Sequence, residues 1–412
     1  MKHRSFFVIV ASVASFLLLL YFVMVGYLFF ARPADCAVVD WDLSIRPKMV
    51  PDCENKYIAY LALTNLTLTS DVSVLLSELH NVAACPQYQG PTNNILQLWT
   101  INEVSHIVDS AIGSLVKSGR YEDAAVAIYD WYTFAKSCCE TSSSTVELVA
   151  GCGMCNMVYQ EIENLALDEK VPEMILGTLS DIVNNEQNFK NLFERALKCE
   201  YSFWVKPGFE KLKQTPDQRE LLARIENAFA PEGGGVVAQT LARVLACTPG
   251  YERFSYNNGA TLQHVATVFR GAKLDVENRT LDVSHIGVFE PNWFGRQAVS
   301  CVSDNAVKVT RQTLKRNAMF ARLARIIVAL QLYARKHNME YPSSLDDLVP
   351  GFMSEVPRDP FDEDYEINYD CAARLIWSVG ENHDYTRPPD NAKIDKRNFL
   401  IRARRVDAVT LQ

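Results

Sequence analysis

The 412-residue sequence lacks the residue patterns on which common catalytic sites are built. Its seven histidines are scattered, and none pairs at the spacing of a zinc-binding His-Glu-x-x-His motif. There is no Gly-x-Ser-x-Gly nucleophile elbow, and the glycine run at 233–235 has no Lys-Ser/Thr after it to make a phosphate-binding loop. A nucleophile also needs a base and a group that orients the base. These absences predict a protein that is not an enzyme and has no small-molecule substrate.

Positive charge is also in deficit. The chain carries 41 Lys and Arg against 49 Asp and Glu, a net charge of −8 with a pI near 5.5. Because nucleic acids are bound by clustered cations, this balance argues against a nucleic-acid partner. The apolar (48%) and aromatic (10%) contents exclude a disordered stalk, since such a composition can build a core.

Charge is absent altogether from residues 6–30. At ~1.5 Å per helical residue this segment reaches about 37 Å, enough to cross a hydrocarbon layer of roughly 30 Å. It is longer than the apolar core of a cleavable signal peptide, about 7–15 residues. Lys2 and Arg4 precede it and only Arg32 follows closely, so the positive-inside rule places the N-terminus in the cytoplasm. Residues 1–31 are therefore predicted to be a cytoplasmic tip and a single-pass signal anchor in the inner membrane, with the bulk of the chain extracytoplasmic.

The remaining chain, about 380 residues, is long enough for two or three folding units at roughly 100–200 residues each. The patterning predicts a linker at 32–56, a helical domain at 57–248, an irregular connection at 249–302 and an α+β domain at 303–412. In the helical domain Gly and Pro are sparse, and apolar residues recur at spacings of three and four.

Within that domain, two apolar stripes between Ile112 and Tyr132 are separated by a short turn at Gly119. This predicts an αα-hairpin. It resembles a single tetratricopeptide unit, but no second copy follows at the period of about 34 residues, so a loose stack of helical hairpins is expected. Further helices are predicted at 145–169, 172–184, 188–198, 215–228 and 236–246.

Eleven cysteines all lie beyond the anchor, on the predicted extracytoplasmic side, where disulfides persist. An odd number leaves at least one thiol without a partner in the chain. Cys152 and Cys155 share one face of a predicted helix, and Cys138 and Cys139 end the helix before it. The four are expected to meet at one end of a hairpin.

Three interpretations of this cluster remain open. The favoured one is one or two disulfides that join adjacent helices. Four thiolates would also satisfy a tetrahedral zinc ion. Catalytic redox chemistry is the third, although the strand and helix N-terminus that a thioredoxin-like motif requires are not visible in the sequence.

The last hundred residues carry a different pattern. A long helix is predicted at 307–337, with one apolar face and arginine residues on the rest of its surface. A short capped helix at 343–348 and short strands near 367–369, 375–380 and 399–402 are predicted to follow it. Asp359, which precedes a proline, is expected to fix a turn.

The order of motifs here is a Tyr341-Pro342 turn, a Ser-Leu-x-x-Leu helix, a Pro-x-Asp-Pro-Phe segment at 357–361 and a strand that ends Ser-x-Gly at 378–380. It resembles the C-terminal domain of the major pseudopilins of type II secretion systems, over 316–402. The whole chain resembles membrane-anchored proteins of planctomycete-type bacteria that join a helical domain to this ending. The resemblance implies a small α+β domain with a long helix and about three short antiparallel strands.

Two departures from the pseudopilins bear on function. Residues 1–30 lack their Gly-Phe cleavage site and early Glu, which argues against the usual processing. Pseudopilins also hold calcium after the Ser-x-Gly strand, and Asp384, Asp390 and Asp395 could supply the oxygen ligands here. Arg387-Pro388-Pro389 replaces the Gly-rich spacing, however, and this favours a solvated acidic loop.

The fold is therefore predicted to be mainly α, with a transmembrane helix, a helical-hairpin domain and a pseudopilin-like α+β ending. The preferred hypothesis for function is a non-enzymatic scaffold that binds other envelope proteins, linked to secretion or pilus-like machinery. The alternative is an extracytoplasmic thiol/disulfide or zinc-binding protein that uses Cys138, Cys139, Cys152 and Cys155.

Overall fold

The computed structural model describes eleven segments of the chain. They are residues 22–23, 27, 50–65, 71–90, 98–185, 187–211, 251, 257–272, 292–372, 375–379 and 400–402. These residues are mainly helical, as predicted. They divide into two compact units. The first comprises Arg46–Ala196 with Val309–Gln412, and the second comprises the described residues of Met1–Ile45 and Leu197–Lys308. The domain boundaries expected from the sequence remain predictions.

The first unit begins with a series of helices, as the sequence predicted for this part of the chain. They are α1 (Lys56–Ala62), α2 (Val72–Ala84), α3 (Leu98–Lys117), α4 (Tyr121–Thr141), α5 (Thr145–Ala166), α6 (Glu173–Val183) and α7 (Phe189–Cys199). The last three match the helices predicted at 145–169, 172–184 and 188–198.

The α3–α4 connection is the αα-hairpin expected from the sequence. Gly119 has φ +76°, a left-handed conformation that glycine adopts without steric cost. The amide of Arg120 donates to Leu115 O at 3.0 Å and that of Gly119 to Val116 O at 3.0 Å. These two bonds form a Schellman motif, which ends α3 and turns the chain into α4.

Side-chain caps set the starts of other helices. Asp71 accepts from Ser73 N at 2.9 Å before α2, and Ser144 accepts from Glu147 N at 3.1 Å before α5. Each cap satisfies an amide that has no partner within its helix. Short polar residues therefore define the helix boundaries locally.

Helix α4 is the centre of this unit, because α2, α3, α5 and α6 all pack against it. Ile128, Trp131 and Phe134 on α4 are fully buried. The ring of Tyr60 from α1 stacks on Phe134 with centroids 3.8 Å apart. The hydrophobic core is thus built around one helix.

The C-terminal part of the same unit contains the latter portion of α10 (Trp293–Lys336) and a 3-10 helix, Leu345–Leu348. Ser344 and Asp347 form a reciprocal capping box at the start of that short helix, where the sequence predicted a cap. Asn317 on α10 donates its Nδ2 to Cys152 O at 3.1 Å and to Asn156 Oδ1 at 2.8 Å. These bonds join α10 to α5 within the unit.

Three short strands form an antiparallel sheet in the order β1-β2-β3. Their bounds are β1 Asn368–Asp370, β2 Leu375–Trp377 and β3 Leu400–Arg402. Asp359, fully buried, accepts from Phe361 N at 2.9 Å and from Val379 N at 2.8 Å. It therefore fixes the turn that the sequence indicated, and it also ties that turn to the end of β2.

The second unit is helical where it is described. A π-helix at Glu200–Val205 leads into α8 (Lys206–Lys211), and α9 spans Asn258–Gly271. Asn257 caps α9 by accepting from Ala260 N at 2.8 Å. The stretch predicted to be irregular thus contains α9 and the start of α10, because caps and tertiary packing specify helices there without a strong apolar period.

Several predicted features lie outside the described residues, namely the helices at 215–228 and 236–246 and, apart from Phe22, Val23 and Tyr27, the anchor at 6–30. In the part of the chain that is described, no helix is both long and apolar enough to span a bilayer.

Candidate functional site

The structure brings Cys138, Cys139, Cys152 and Cys155 together between α4 and α5. The first two lie in the last turn of α4, and the other two lie one turn apart on α5. All four side chains have 0% exposure to solvent. We refer to them as the cysteine cluster.

Within the cluster, Cys139 Sγ lies 3.9 Å from Cys152 Sγ. Gly151 makes this approach possible. A Cβ atom at Gly151 would lie 2.8 Å from Cys139 Sγ, 3.1 Å from Cys139 N and 3.2 Å from Cys138 Sγ. Since real Cβ atoms essentially never come within 3.0 Å of such neighbours, glycine lets α5 pack directly on the end of α4.

Cys138 has a different set of contacts. The hydroxyl of Tyr88 donates to Cys138 Sγ at 3.1 Å, and the Cys138 thiol lies 3.6 Å from the backbone oxygen of Glu147. At the other side of the cluster, Gln187 Nε2 lies 3.9 Å from Cys155 Sγ. No disulfide joins the four described cysteines in this structure.

Burial controls the chemistry of these thiols. It raises the pKa of the Cys138 thiol well above its ordinary value, and the nearby carboxylate of Glu147 adds to the effect. The pKa of Cys139 is raised well above its ordinary value by hydrogen bonds with Cys152 and Cys155 and by burial. Because the thiolate is the nucleophile, protonated and buried thiols are inert at neutral pH.

Glu147 is a buried carboxyl group beside the cluster. Its Oε2 accepts from Ser143 N at 2.6 Å and from Ser143 Oγ at 2.9 Å. A Cβ atom at Gly90 would overlap its Oε1, so the absence of a side chain there makes room for the carboxyl group. Burial raises the pKa of Glu147, although the bonds from Ser143 oppose the rise. The group is held in place rather than presented to solvent.

The described segments contain no preformed cluster of metal ligands. Among those residues, no group of three or more His, Cys, Asp and Glu side chains is arranged to hold a metal ion. Zinc at the cysteine cluster therefore stays a prediction without support from the present arrangement. The calcium candidates Asp384, Asp390 and Asp395 lie outside the described residues.

A His–Asp pair was missed in the sequence. His80 Nδ1 on α2 lies 3.1 Å from Asp130 Oδ2 on α4, with side-chain exposures of 68% and 5%. Burial raises the pKa of Asp130, while the hydrogen bond and charge of His80 lower it. A buried carboxylate that orients an exposed imidazole can hold a proton at a defined position. No sequence signal could have found the pair, because fifty positions separate its members.

The surface of α4 carries an apolar pair. Val126 and Tyr129, three residues apart on one helix face, are each 54% exposed, although the residues between and before them are buried. Glu122 continues this exposed line one turn earlier. We call Val126 and Tyr129 the α4 surface pair. By contrast, Met174 on α6 is an isolated exposed apolar residue at 69%.

Comparison of the chain with protein-family models, curated proteins and solved structures gave no match. The pseudopilin-like character of the C-terminal part therefore remains an expectation from the sequence.

Proposed function

We propose that this protein is a single-pass scaffold of the bacterial envelope whose helical unit binds another envelope protein through the α4 surface pair. The observation that carries the proposal is the exposure of Val126 and Tyr129 on α4, the helix against which α2, α3, α5 and α6 pack.

The position of the α4 surface pair on its helix supports a role in binding. Single exposed apolar residues are normal on protein surfaces, and Met174 is one of them. Val126 and Tyr129 instead lie about one turn apart on the same face of a helix that four others contact. Tyrosine offers a large apolar body with a polar tip, a combination that is enriched at protein interfaces.

The location in the envelope is supported by the uncharged segment at 6–30 and by Lys2 and Arg4 before it. The resemblance of the C-terminal part of the chain to the C-terminal domain of major pseudopilins supports a link between the scaffold role and secretion or pilus-like machinery. The likeness covers only about a fifth of the chain, at 316–402, and so supports a class of partner rather than a particular one.

The competing hypothesis is a thiol/disulfide or zinc protein that uses the cysteine cluster. The proximity of the four sulfur atoms favours it. Their complete burial and the raised pKa values of Cys138 and Cys139 count against a reactive thiolate. A structural role for the cluster agrees better with both observations.

Site-specific photo-crosslinking in intact cells tests the scaffold role. A photoreactive residue is placed at position 129 of the full chain, and the matched control carries it at position 174, which is at least as exposed. We expect one defined envelope protein to be captured from position 129 and not from 174. We also expect Val126→Ser to reduce that capture at unchanged protein level. Equal capture from both positions, or none from 129, would contradict the proposed surface.

Metal analysis and thiol titration of the full chain in detergent separate the two hypotheses. The scaffold hypothesis expects no stoichiometric zinc, and it expects any free thiol of the cluster to react only after denaturation. One equivalent of zinc, or two thiols that react rapidly in the native protein, would favour the alternative.

A further inference from the structure

We propose that Cys139 and Cys152 form a structural disulfide that cross-links α4 to α5, with Cys138 and Cys155 outside the bond. The proposal rests on the extracytoplasmic location proposed above, because disulfides persist in oxidising compartments. It assigns one pairing within a cluster for which the sequence left the connectivity open.

Geometry selects this pair. The Sγ atoms of Cys139 and Cys152 are 3.9 Å apart, both on fully buried side chains of adjacent helices. A disulfide bond is about 2.05 Å long, so the two sulfur atoms must approach by roughly 2 Å, a distance that rotation of both side chains can share.

The other two cysteines have contacts of their own. The Cys138 thiol is held by the Tyr88 hydroxyl at 3.1 Å and lies against the backbone oxygen of Glu147. Cys155 touches Cys139 as well, but Gln187 also approaches its sulfur at 3.9 Å. Cys152 follows Gly151 directly, and a Cβ atom at Gly151 would lie 2.8 Å from Cys139 Sγ.

The reaction converts two thiols and one external disulfide into one protein disulfide and two thiols. The sulfurs of Cys139 and Cys152 together lose two electrons and two protons, and a small-molecule or protein disulfide accepts them by exchange through a mixed disulfide. Since both side chains are fully buried in the folded state and out of reach of an external disulfide, the exchange takes place while the α4–α5 hairpin is still forming.

Peptide mapping tests the pairing. No Lys or Arg lies between Ser137 and Glu169, so trypsin leaves all four cysteines on one fragment. Cleavage after Glu140 and Glu147 separates the first two from the last two. The full chain is isolated from membranes with free thiols blocked at lysis, digested in this way without reduction, and analysed by mass spectrometry.

We expect the linked pair of peptides from the wild type and from the matched control Cys138→Ser/Cys155→Ser. We expect it to be lost in Cys139→Ser and in Cys152→Ser. The linked control variant should also melt about 6–12 °C lower after reduction, the shift expected for opening a loop of this size. Linked peptides in either Cys139→Ser or Cys152→Ser would overturn the pairing, and their absence from the control variant would overturn the cross-link in cells.

Refolding of the denatured, reduced chain with oxidised glutathione tests the Cys139–Cys152 pairing independently of the extracytoplasmic location. A Cys139–Cys152 bond that forms in this experiment but not in cells would refute the extracytoplasmic location and hence the resident cross-link. Failure of the bond to form in both would refute the geometric assignment itself.

Discussion

Replacement of Gly151 by alanine should destabilise the protein, although the same change two residues away should stabilise it. Both Gly151 and Gly153 lie inside α5, where alanine is preferred over glycine by about 1 kcal/mol. A methyl group at Gly153 would meet no atom within 4 Å, so Gly153→Ala should gain the full preference.

At Gly151 the new methyl group meets obstacles of two kinds. Cys139 Sγ, 2.8 Å away, can rotate, but Cys139 N, 3.1 Å away, belongs to the backbone of α4 and can move only with the helix. Insertion of a methyl group into such a contact costs about 1–3 kcal/mol. Measured against Gly153→Ala, the free energy of unfolding of Gly151→Ala should therefore be lower by about 2 kcal/mol, or about 4–8 °C in melting temperature.

Thermal unfolding of the full chain in detergent, followed by circular dichroism in the presence of a reductant, measures this difference without any contribution from a disulfide. Gly177→Ala on α6, which also meets no atom within 4 Å, is a second stabilising control. If the melting temperature of Gly151→Ala equals or exceeds that of Gly153→Ala, α4 and α5 do not approach each other closely at this point. The described arrangement of the cysteine cluster would then be wrong as well.

Three further changes test other parts of the first unit. Burial raises the pKa of Glu163 well above its ordinary value, so the folded state binds this proton more tightly than the unfolded state. The contribution of Glu163 to stability should therefore fall as the pH rises from about 4.5 through the folded pKa, by up to about 1.4 kcal/mol per pH unit. Because Glu147 and Asp130 also have raised pKa values, Glu163→Gln should make the fall smaller, without abolishing it, in melting curves taken at several pH values. Asn317→Ala removes the bonds from α10 to α5, including that to Asn156, and should cost about 2 kcal/mol in urea unfolding. Asp359→Asn places a donor where the carboxylate accepts from two amides, one of them Val379 N, and should cost about 1–3 kcal/mol in the same assay.

Each of these changes has an outcome that would contradict it. Parallel pH profiles for wild type and Glu163→Gln would mean that the carboxyl group is not buried. Exposed residues of the same type, Asn164 and Asp364, serve as controls for the other two. A loss no larger than that of Asn164→Ala or Asp364→Asn would show that the buried hydrogen bonds at Asn317 or Asp359 do not form.

Much of the helical architecture was predictable because its signals are local. The hairpin turn at Gly119 follows from a positive φ that glycine tolerates, and Ser344 with Asp347 marks the short capped helix directly in the sequence. In the same way, an Asp that precedes a proline indicated the turn at Asp359. Each signal acts within about four residues, a distance over which a pattern can be read without knowledge of the fold.

Other features had no local signal. His80 and Asp130 pair across fifty positions, and the bonds from Asn317 to α5 span more than 150. These pairs arise from the packing of whole helices. The start of α10 at Trp293 was also not predicted, because the sequence from 293 to 306 lacks the regular spacing of apolar residues found later in the helix.

The sequence by itself determined the bounds of α5, α6 and α7 to within a few residues, the position of the hairpin turn at Gly119, and that four cysteines would lie near one end of a hairpin. Only the tertiary structure decided that Cys139 faces Cys152, that Cys138 is held by Tyr88, and that Val126 and Tyr129 stay exposed on the central helix. The physical reason is the range of the forces involved. Backbone hydrogen bonds and caps are satisfied within a few residues, whereas the choice of neighbour for each side chain depends on how complete helices fit together.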